Sequence, residues 1–226
     1  MQDRYSKNRE TISKAENVIL YNKKACVVGC GGIGGYVIEM LARVGVGAIM
    51  CVDGDSFDET NLNRQILSRE DNLGSSKALE AKKRIGEINS GVRAIAYDAF
   101  FDRNNAKTII DGCDIIFDAL DNEDSRLLLQ DEAAKNGLPV IHGSIAGWYG
   151  QVSVIYPGCD VLGRIYNDAS PYGAEKELGT PSFTPALIAS IEVAEGIKCL
   201  LGKESKLKGR ILTVDLLNDE FDVVDL

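Results

Sequence analysis

Apolar positions along this chain follow two rhythms, and their alternation predicts the order of elements. Residues 25–28 and 48–52 are continuous apolar runs, as strands covered on both faces should be. Between them Val37, Ile38, Leu41 and Val44 recur at helical spacing, and Gly45-Val46-Gly47 closes that helix. A second helix starts at a cap on Ser75 or Ser76 and runs to about Ile88, with Ala78, Leu79, Ala81 and Ile85 on one side. Residues 93–100 alternate as a third strand, 104–110 form a short helix, and 115–120 a fourth strand ending at Asp121-Asn122. A helix over 123–135 precedes a fifth strand at 139–141, and after the polar stretch from His142 to Gly147 residues 151–156 read as another strand. Periodicity is lost over 157–184, too long for an idle connection. Thr184 as cap and Pro185 in the first turn then start a helix to about Leu201, with Leu187, Ile188, Ile191, Ala194, Ile197 and Leu201 on its apolar face. Residues 211–217 and 221–226 form a terminal hairpin around Asn218-Asp219. Residues 1–23 carry a weak helical pattern in Ile12, Ala15, Val18, Ile19 and Leu20, which predicts a short lead-in helix. The fold class is α/β: a mainly parallel sheet with helices on both faces, plus an antiparallel C-terminal extension.

Composition narrows the class without naming a chemistry. The 226 residues suit one domain, 1–226, and 45% hydrophobic with 26% charged residues is ordinary for a soluble protein. A formal net charge of −9 argues against a general binder of nucleic acid or of a membrane surface. The six cysteines contain no C-x-x-C, and Cys26, Cys30 and Cys51 fall in apolar strands or the glycine turn, as small buried hydrophobes in a reducing compartment. With a polar N-terminus and no twenty-residue apolar run, a cytoplasmic location is expected.

Candidate chemistry begins where the first strand breaks into Gly29-Cys30-Gly31-Gly32-Ile33-Gly34. Gly29 permits a tight turn, Gly31 and Gly32 let backbone amides approach phosphate, and Gly34 allows close packing of helix on strand. The helix N-terminus beyond offers unpaired N–H groups to an anion. Alone, this pattern points first to NAD or FAD. Three polar groups change that: Asp53, with Asp55, after strand two; Asn61, Arg64 and Gln65 in an unusually long loop, with Lys77 at the next helix start; and Asp121-Asn122 after strand four. All fall beyond carboxyl ends of strands, where open α/β sheets hold ligands. Two cations and an amide facing the turn neutralise a polyphosphate, and a carboxylate opposite suits Mg²⁺, which favours a triphosphate over a dinucleotide.

Together with Arg4-Tyr5-Ser6 and Gly150-Gln151, these motifs resemble, across nearly the whole chain, the ThiF/MoeB/HesA family of ATP-dependent adenylyltransferases, relatives of the ubiquitin-activating enzymes. Asn61-Leu62-Asn63-Arg64-Gln65 after Asp53-Gly54-Asp55 is the most specific element. The resemblance implies a Rossmann-like fold with a long crossover loop at 158–184. It implies ATP- and Mg²⁺-dependent adenylation of the C-terminal Gly-Gly carboxylate of a small ubiquitin-like sulfur-carrier protein, and a homodimer. Carried over by position, Gly29, Gly31, Gly32, Asp53, Asp55, Asn61, Gln65 and Asn122 bind nucleotide, Arg64 and Lys77 hold phosphate charge, Asp53 takes the ribose and Asp121 the Mg²⁺. The chain departs from the family at Lys7-Asn8, where an arginine often reaches the neighbouring subunit's ATP; Lys7 stands in as a weaker point charge, with Arg9 the other candidate. The two zinc-binding C-x-x-C pairs are missing, since Cys159-Asp160-Val161-Leu162 breaks the first, and 160–198 hold no cysteine. Neither structural zinc nor a covalent sulfur step on the crossover loop is expected.

Rival readings are an NAD-dependent oxidoreductase, which needs a substrate domain and an acid/base not found here, a non-catalytic module of the same fold, and adenylation of a small-molecule or RNA-borne carboxylate. His142, the one histidine, reads as structural or as part of a substrate loop, Asp118 as structural. Trp148 and Tyr149 line either the carrier's tail channel or the core.

Overall fold

The computed structural model describes residues 3–166 and 177–226. Five strands run parallel: β1 (Lys24–Val28), β2 (Ala48–Val52), β3 (Arg93–Tyr97), β4 (Ile115–Asp118) and β5 (Val140–Ala146). Then β6 (Tyr149–Ile155), β7 (Arg210–Asp215) and β8 (Glu220–Asp225) add antiparallel, giving one sheet in the order β3-β2-β1-β4-β5-β6-β7-β8. The predicted mixed α/β architecture is therefore present. Because β1 has β2 on one side and β4 on the other, the chain reverses direction across the sheet at β1. A crevice opens beyond the carboxyl ends of those strands.

Alternation along each strand divides the core into two layers. Val27, Cys51, Phe117, Ile141 and Val152 face α2 (Gly32–Val44), α3 (Lys77–Ile88) and α7 (Phe183–Leu200). Cys26, Val28, Ile116, Val140 and Ile155 face α4 (Ala106–Ile110), α5 (Glu123–Lys135) and α6 (Val161–Tyr166). All five residues of β2 are buried, which explains their unbroken apolar run. The lead-in helix α1 (Lys14–Tyr21) is held by a capping box between Ser13 and Glu16 and buries Leu20.

Several expectations are corrected. The fifth strand does not stop at 141: β5 continues through His142 to Ala146, and Gly147-Trp148 makes the turn into β6. Glycine and polar residues hid this half of the strand, yet Val140, Ile141, His142 and Gly143 are all buried. The segment 158–184 contains α6, too short to show periodicity, whose Val161 and Leu162 are buried; residues 167–176 of the predicted crossover lie outside the described residues. Helix α7 starts at Phe183 after Ser182, so Thr184 is not its cap. Instead the Thr184 hydroxyl donates to the Gly147 carbonyl at 2.6 Å and pins the helix to the β5–β6 turn. On α3 Leu79 points outward, 52% exposed, while Ala78, Ala81 and Ile85 are buried. The third strand ends at Tyr97 rather than 100. The terminal hairpin turns where predicted, with Asp219 at φ 59°, but β8 is exposed along its whole length.

Candidate active site

The site grows from the sharp exit of β1. Gly29 sits at φ 100°, and a Cβ there would lie 2.3 Å from the Ala119 carbonyl oxygen. At Gly34 a Cβ would fall 1.8 Å from the Gly29 oxygen, so α2 packs against its own entry loop only because that side chain is absent. The turn expected at Gly29 and the close contact expected at Gly34 are both seen. Asp53 locks this loop to β2: its Oδ2 accepts from the Cys30 amide at 2.7 Å and its Oδ1 from the Asp55 amide at 2.9 Å.

A cavity of about 400 Å³ opens beside the turn, within the range of small-molecule sites. Gly29, Gly31, Gly32, Asp53, Asp55, Arg64, Gln65, Lys77, Asp121 and Asn122 all line it. Ten residues chosen from sequence, up to 93 positions apart (Gly29 to Asn122), thus converge on one volume. Asn61 does not line it. It is 5% exposed and makes reciprocal bonds with Asp58, amide to Oδ1 at 3.3 Å and Nδ2 to Oδ1 at 3.1 Å. Its carbonyl accepts from the Arg64 and Gln65 amides at 3.1 and 2.9 Å, so Asn61 sets the loop turn that aims those two side chains. Lys7 is exposed on a turn and does not line this cavity. The segment before it is anchored by Arg4, which donates to Asn89 Oδ1 at 2.5 Å and to the Ile88 carbonyl at 3.2 Å.

Charge is distributed unevenly around the cavity. Lys77 is 6% exposed and donates to Asp55 Oδ2 at 2.5 Å; that contact draws the Asp55 carboxyl below its ordinary range. Burial pushes the Asp53 carboxyl up, against the lowering effect of the Cys30 and Asp55 amides. Arg64 donates to the Thr60 carbonyl and to Asn63 Oδ1, both at 3.0 Å, leaving other N–H groups of its fork. Gln65 packs beside Gly31, and its buried Oε1 has no hydrogen-bond partner among the described residues. Cys51 beside it and burial push the Cys30 thiol up, and it behaves as an inert hydrophobe.

Across the cavity Asp121 is exposed, and its Oδ1 accepts from the Asn122 side-chain amide at 3.4 Å. Asn122 caps α5 by accepting from the Ser125 amide at 2.9 Å. Arg126, not foreseen from sequence, lines this wall with Phe100, Phe101 and Thr180. A signal was present: capping by Asn122 places residue 126 one helical turn in, on the side of the cap. Trp148 and Tyr149 are not core. They are 45% and 41% exposed, and the Trp148 ring packs on Phe183 with centroids 4.6 Å apart.

The sequence model of the ThiF family matches residues 5–226. The chain belongs to the ThiF family. Within that family it is 30% identical to the SAMP-activating enzyme E1 of Haloferax volcanii, over 98% of this chain and 84% of that protein. It is 35% identical to the sulfur carrier protein adenylyltransferase of Thermus thermophilus, over 86% of this chain and 75% of that one. The crystal structure of E. coli MccB with succinimide superposes on all of this chain and 72% of that one, with TM-score 0.83 at 21% identity; this likeness concerns the fold. The ThiF resemblance read from the motifs therefore holds. Among the described residues no helix is long and apolar enough to cross a membrane, and no three His, Cys, Asp or Glu side chains are grouped to hold a metal.

Proposed function

We propose that this chain uses ATP and Mg²⁺ to adenylate the C-terminal Gly-Gly carboxylate of a small ubiquitin-like sulfur-carrier protein, releasing pyrophosphate. One observation carries the reading: Arg64, Lys77 and Asp121 line the same cavity as Gly29, Gly31 and Gly32 of the glycine turn. In this reaction a carboxylate oxygen attacks the α-phosphorus and the bond to the β-phosphate oxygen breaks. Anion meets anion, so the help needed is positive charge and alignment. Arg64 and Lys77 supply the charge. The amides at Gly31 and Gly32 with the start of α2 hold phosphate oxygens. Asp53 is already fixed by two backbone amides, and its remaining lone pairs accept from two ribose hydroxyls. No general base is required, because a terminal carboxylate is ionised near neutrality.

Mg²⁺ is bound through one or two carboxylates plus substrate phosphates, and the exposed Asp121 fits that demand. When bound, the ion neutralises phosphate charge; Asp121 would hold it. The names of the family relatives, a sulfur carrier protein adenylyltransferase and a SAMP-activating enzyme, support the carrier as substrate.

The test is ATP–pyrophosphate exchange with carriers ending in Gly-Gly. Exchange that requires the carrier and disappears when its last glycine is removed supports the reading. Exchange without a carrier, or none with any Gly-Gly protein, overturns it. We extend the proposal to a homodimer in which Lys7 reaches the partner's phosphates, since it does not line its own cavity. Mixing Lys7→Ala with Asp121→Ala chains should then restore exchange that each lacks alone.

A further inference from the structure

Beneath the Asp121 wall lies a polar connection that the reaction above does not use. Asp118 on β4 and His142 on β5 are register partners, and both are 0% exposed. His142 Nδ1 lies 2.7 Å from Asp118 Oδ2, so the ring donates its proton to the carboxylate. The other carboxylate oxygen accepts from the Leu120 amide at 3.1 Å. The Leu120 carbonyl in turn accepts from Arg126 Nε at 3.0 Å and Nη2 at 2.5 Å, and Arg126 Nη1 donates to the Tyr166 hydroxyl at 2.6 Å. Arg126 Nε also lies 4.0 Å from Asp118 Oδ2.

These bonds run without a break from the sheet interior to the cavity rim. Asp118 grips the backbone directly before Asp121, and Arg126 clasps the same backbone from the outside. A buried carboxylate with two donors is costly to disturb, because removing one partner leaves polar groups unsatisfied away from water. A strand end packed on Val or Ile at these positions would leave the turn free to shift. We infer that His142 and Asp118 are positioning residues that, through Leu120 and Arg126, hold the wall carrying Asp121 in register with the glycine turn.

The expected kinetic effect rests on the adenylation reading above. The brace touches none of Asp53, Arg64 or Lys77, so nucleotide binding should survive its loss, while alignment across the cavity should not. His142→Leu keeps the volume and removes the donor. His142→Asn places an amide nitrogen close to where Nδ1 sits. In ATP–pyrophosphate exchange His142→Leu should lower kcat about tenfold or more, with KM for ATP within about twofold, and His142→Asn should recover most of the rate. Equal rates in His142→Leu and wild type, equal losses in both variants, or an effect on KM alone would overturn the inference.

Amide hydrogen exchange of the full chain tests the brace apart from the reaction. His142→Leu and Tyr166→Phe should each speed exchange at Leu120 and Asp121 by about tenfold, with the glycine turn unaffected and His142→Asn close to wild type. Tyr166→Phe removes one hydroxyl from a half-buried residue and keeps the test open should His142→Leu fold poorly. Unchanged exchange at Leu120 in both Tyr166→Phe and His142→Leu would refute the brace, even where adenylation is observed. If wild type shows no adenylation, the reaction reading fails and exchange at Leu120 alone decides the brace.

Discussion

The two walls of the cavity are built on different foundations. The glycine-turn wall stands on β1 and β2, whose side chains there are Val27, Val28, Cys51 and Val52, all buried and apolar. Its charges pair locally, Lys77 with Asp55 and Asp53 with the Cys30 and Asp55 amides. The opposite wall stands on β4 and β5, where Asp118 and His142 are fully buried, and α7 presses Glu192 against Gly143 from the other face. One wall is therefore fixed by sterics: no side chain fits at Gly29 or Gly34. The other is fixed by hydrogen bonds and titratable groups. The glycine side should be the less tolerant of added volume at Gly29 and Gly34, and the buried His142 and Glu192 of the other side should add a pH dependence of their own.

The largest effect comes from removing one charge on each wall. Arg64→Ala and Asp121→Ala should each cut ATP–pyrophosphate exchange by about 10²–10³-fold, in line with losing a preorganised charge at a transition state. If either variant kept wild-type exchange, the two walls would not act on one substrate. Next, Lys77→Met should weaken ATP binding about tenfold or more by calorimetry, while Asp55→Asn should change it by no more than about threefold. That contrast asks whether the Lys77–Asp55 pair mainly holds the lysine or mainly hides it.

Stability against pH separates the foundations more finely. Burial pushes the Glu192 carboxyl well above its ordinary value of 4.5, and neither oxygen has a hydrogen-bond partner among the described residues. Its folded form holds a proton that the unfolded chain gives up, so this contribution is complete below pH 4.5 and is lost as pH rises. Glu192→Gln should raise the Tm at about pH 8 by several degrees, at roughly 2–4 °C per kcal/mol for a chain of this size, and the gap should close towards pH 4.5. Burial also lowers the His142 pKa below 6.5, against the pull of Asp118. Its contribution is present above 6.5 and lost on acidification, so His142→Asn should flatten the acid limb of the curve. A curve unchanged in both variants would mean that the polar foundation is not what sets pH sensitivity. The smallest effect belongs to the far edge of the sheet. Asp225, 82% exposed and paired with Arg210, should cost less than about 1 kcal/mol on replacement by alanine, measured by urea unfolding.

The same contrast explains what the sequence revealed. The glycine wall was legible because its constraints are encoded as residue types: glycine where no Cβ fits, continuous apolar runs where both faces are covered. Asp53, Arg64, Gln65 and Lys77 follow it at strand and helix ends, where ligands gather, and all four line the cavity. From its motif Asn61 reads as a phosphate-aligning amide; in the structure it lies beside the cavity lining, and its side chain is bonded within the loop to Asp58. The second wall was half hidden. His142, Gly143 and Ser144 resemble a loop in one dimension, yet they continue β5, and the His142 ring is paired across strands with Asp118 of β4. Arg126 lies in a helix whose apolar and polar positions are poorly segregated, so no periodic signal picked it out. Its role depends on Leu120 and Tyr166, the latter 40 positions away. Hydrogen bonds between distant segments leave little trace in a local pattern.

The central claim, that both walls together place a carrier carboxylate against the α-phosphate of ATP, is tested most directly by intact-mass measurement of a Gly-Gly carrier after incubation with the protein, ATP and Mg²⁺. The account predicts a carrier heavier by one adenylate group with wild type, and none with Arg64→Ala or Asp121→Ala chains that still fold. Adenylated carrier formed equally by both variants, or none formed by a wild-type protein shown to bind ATP and carrier, would contradict it.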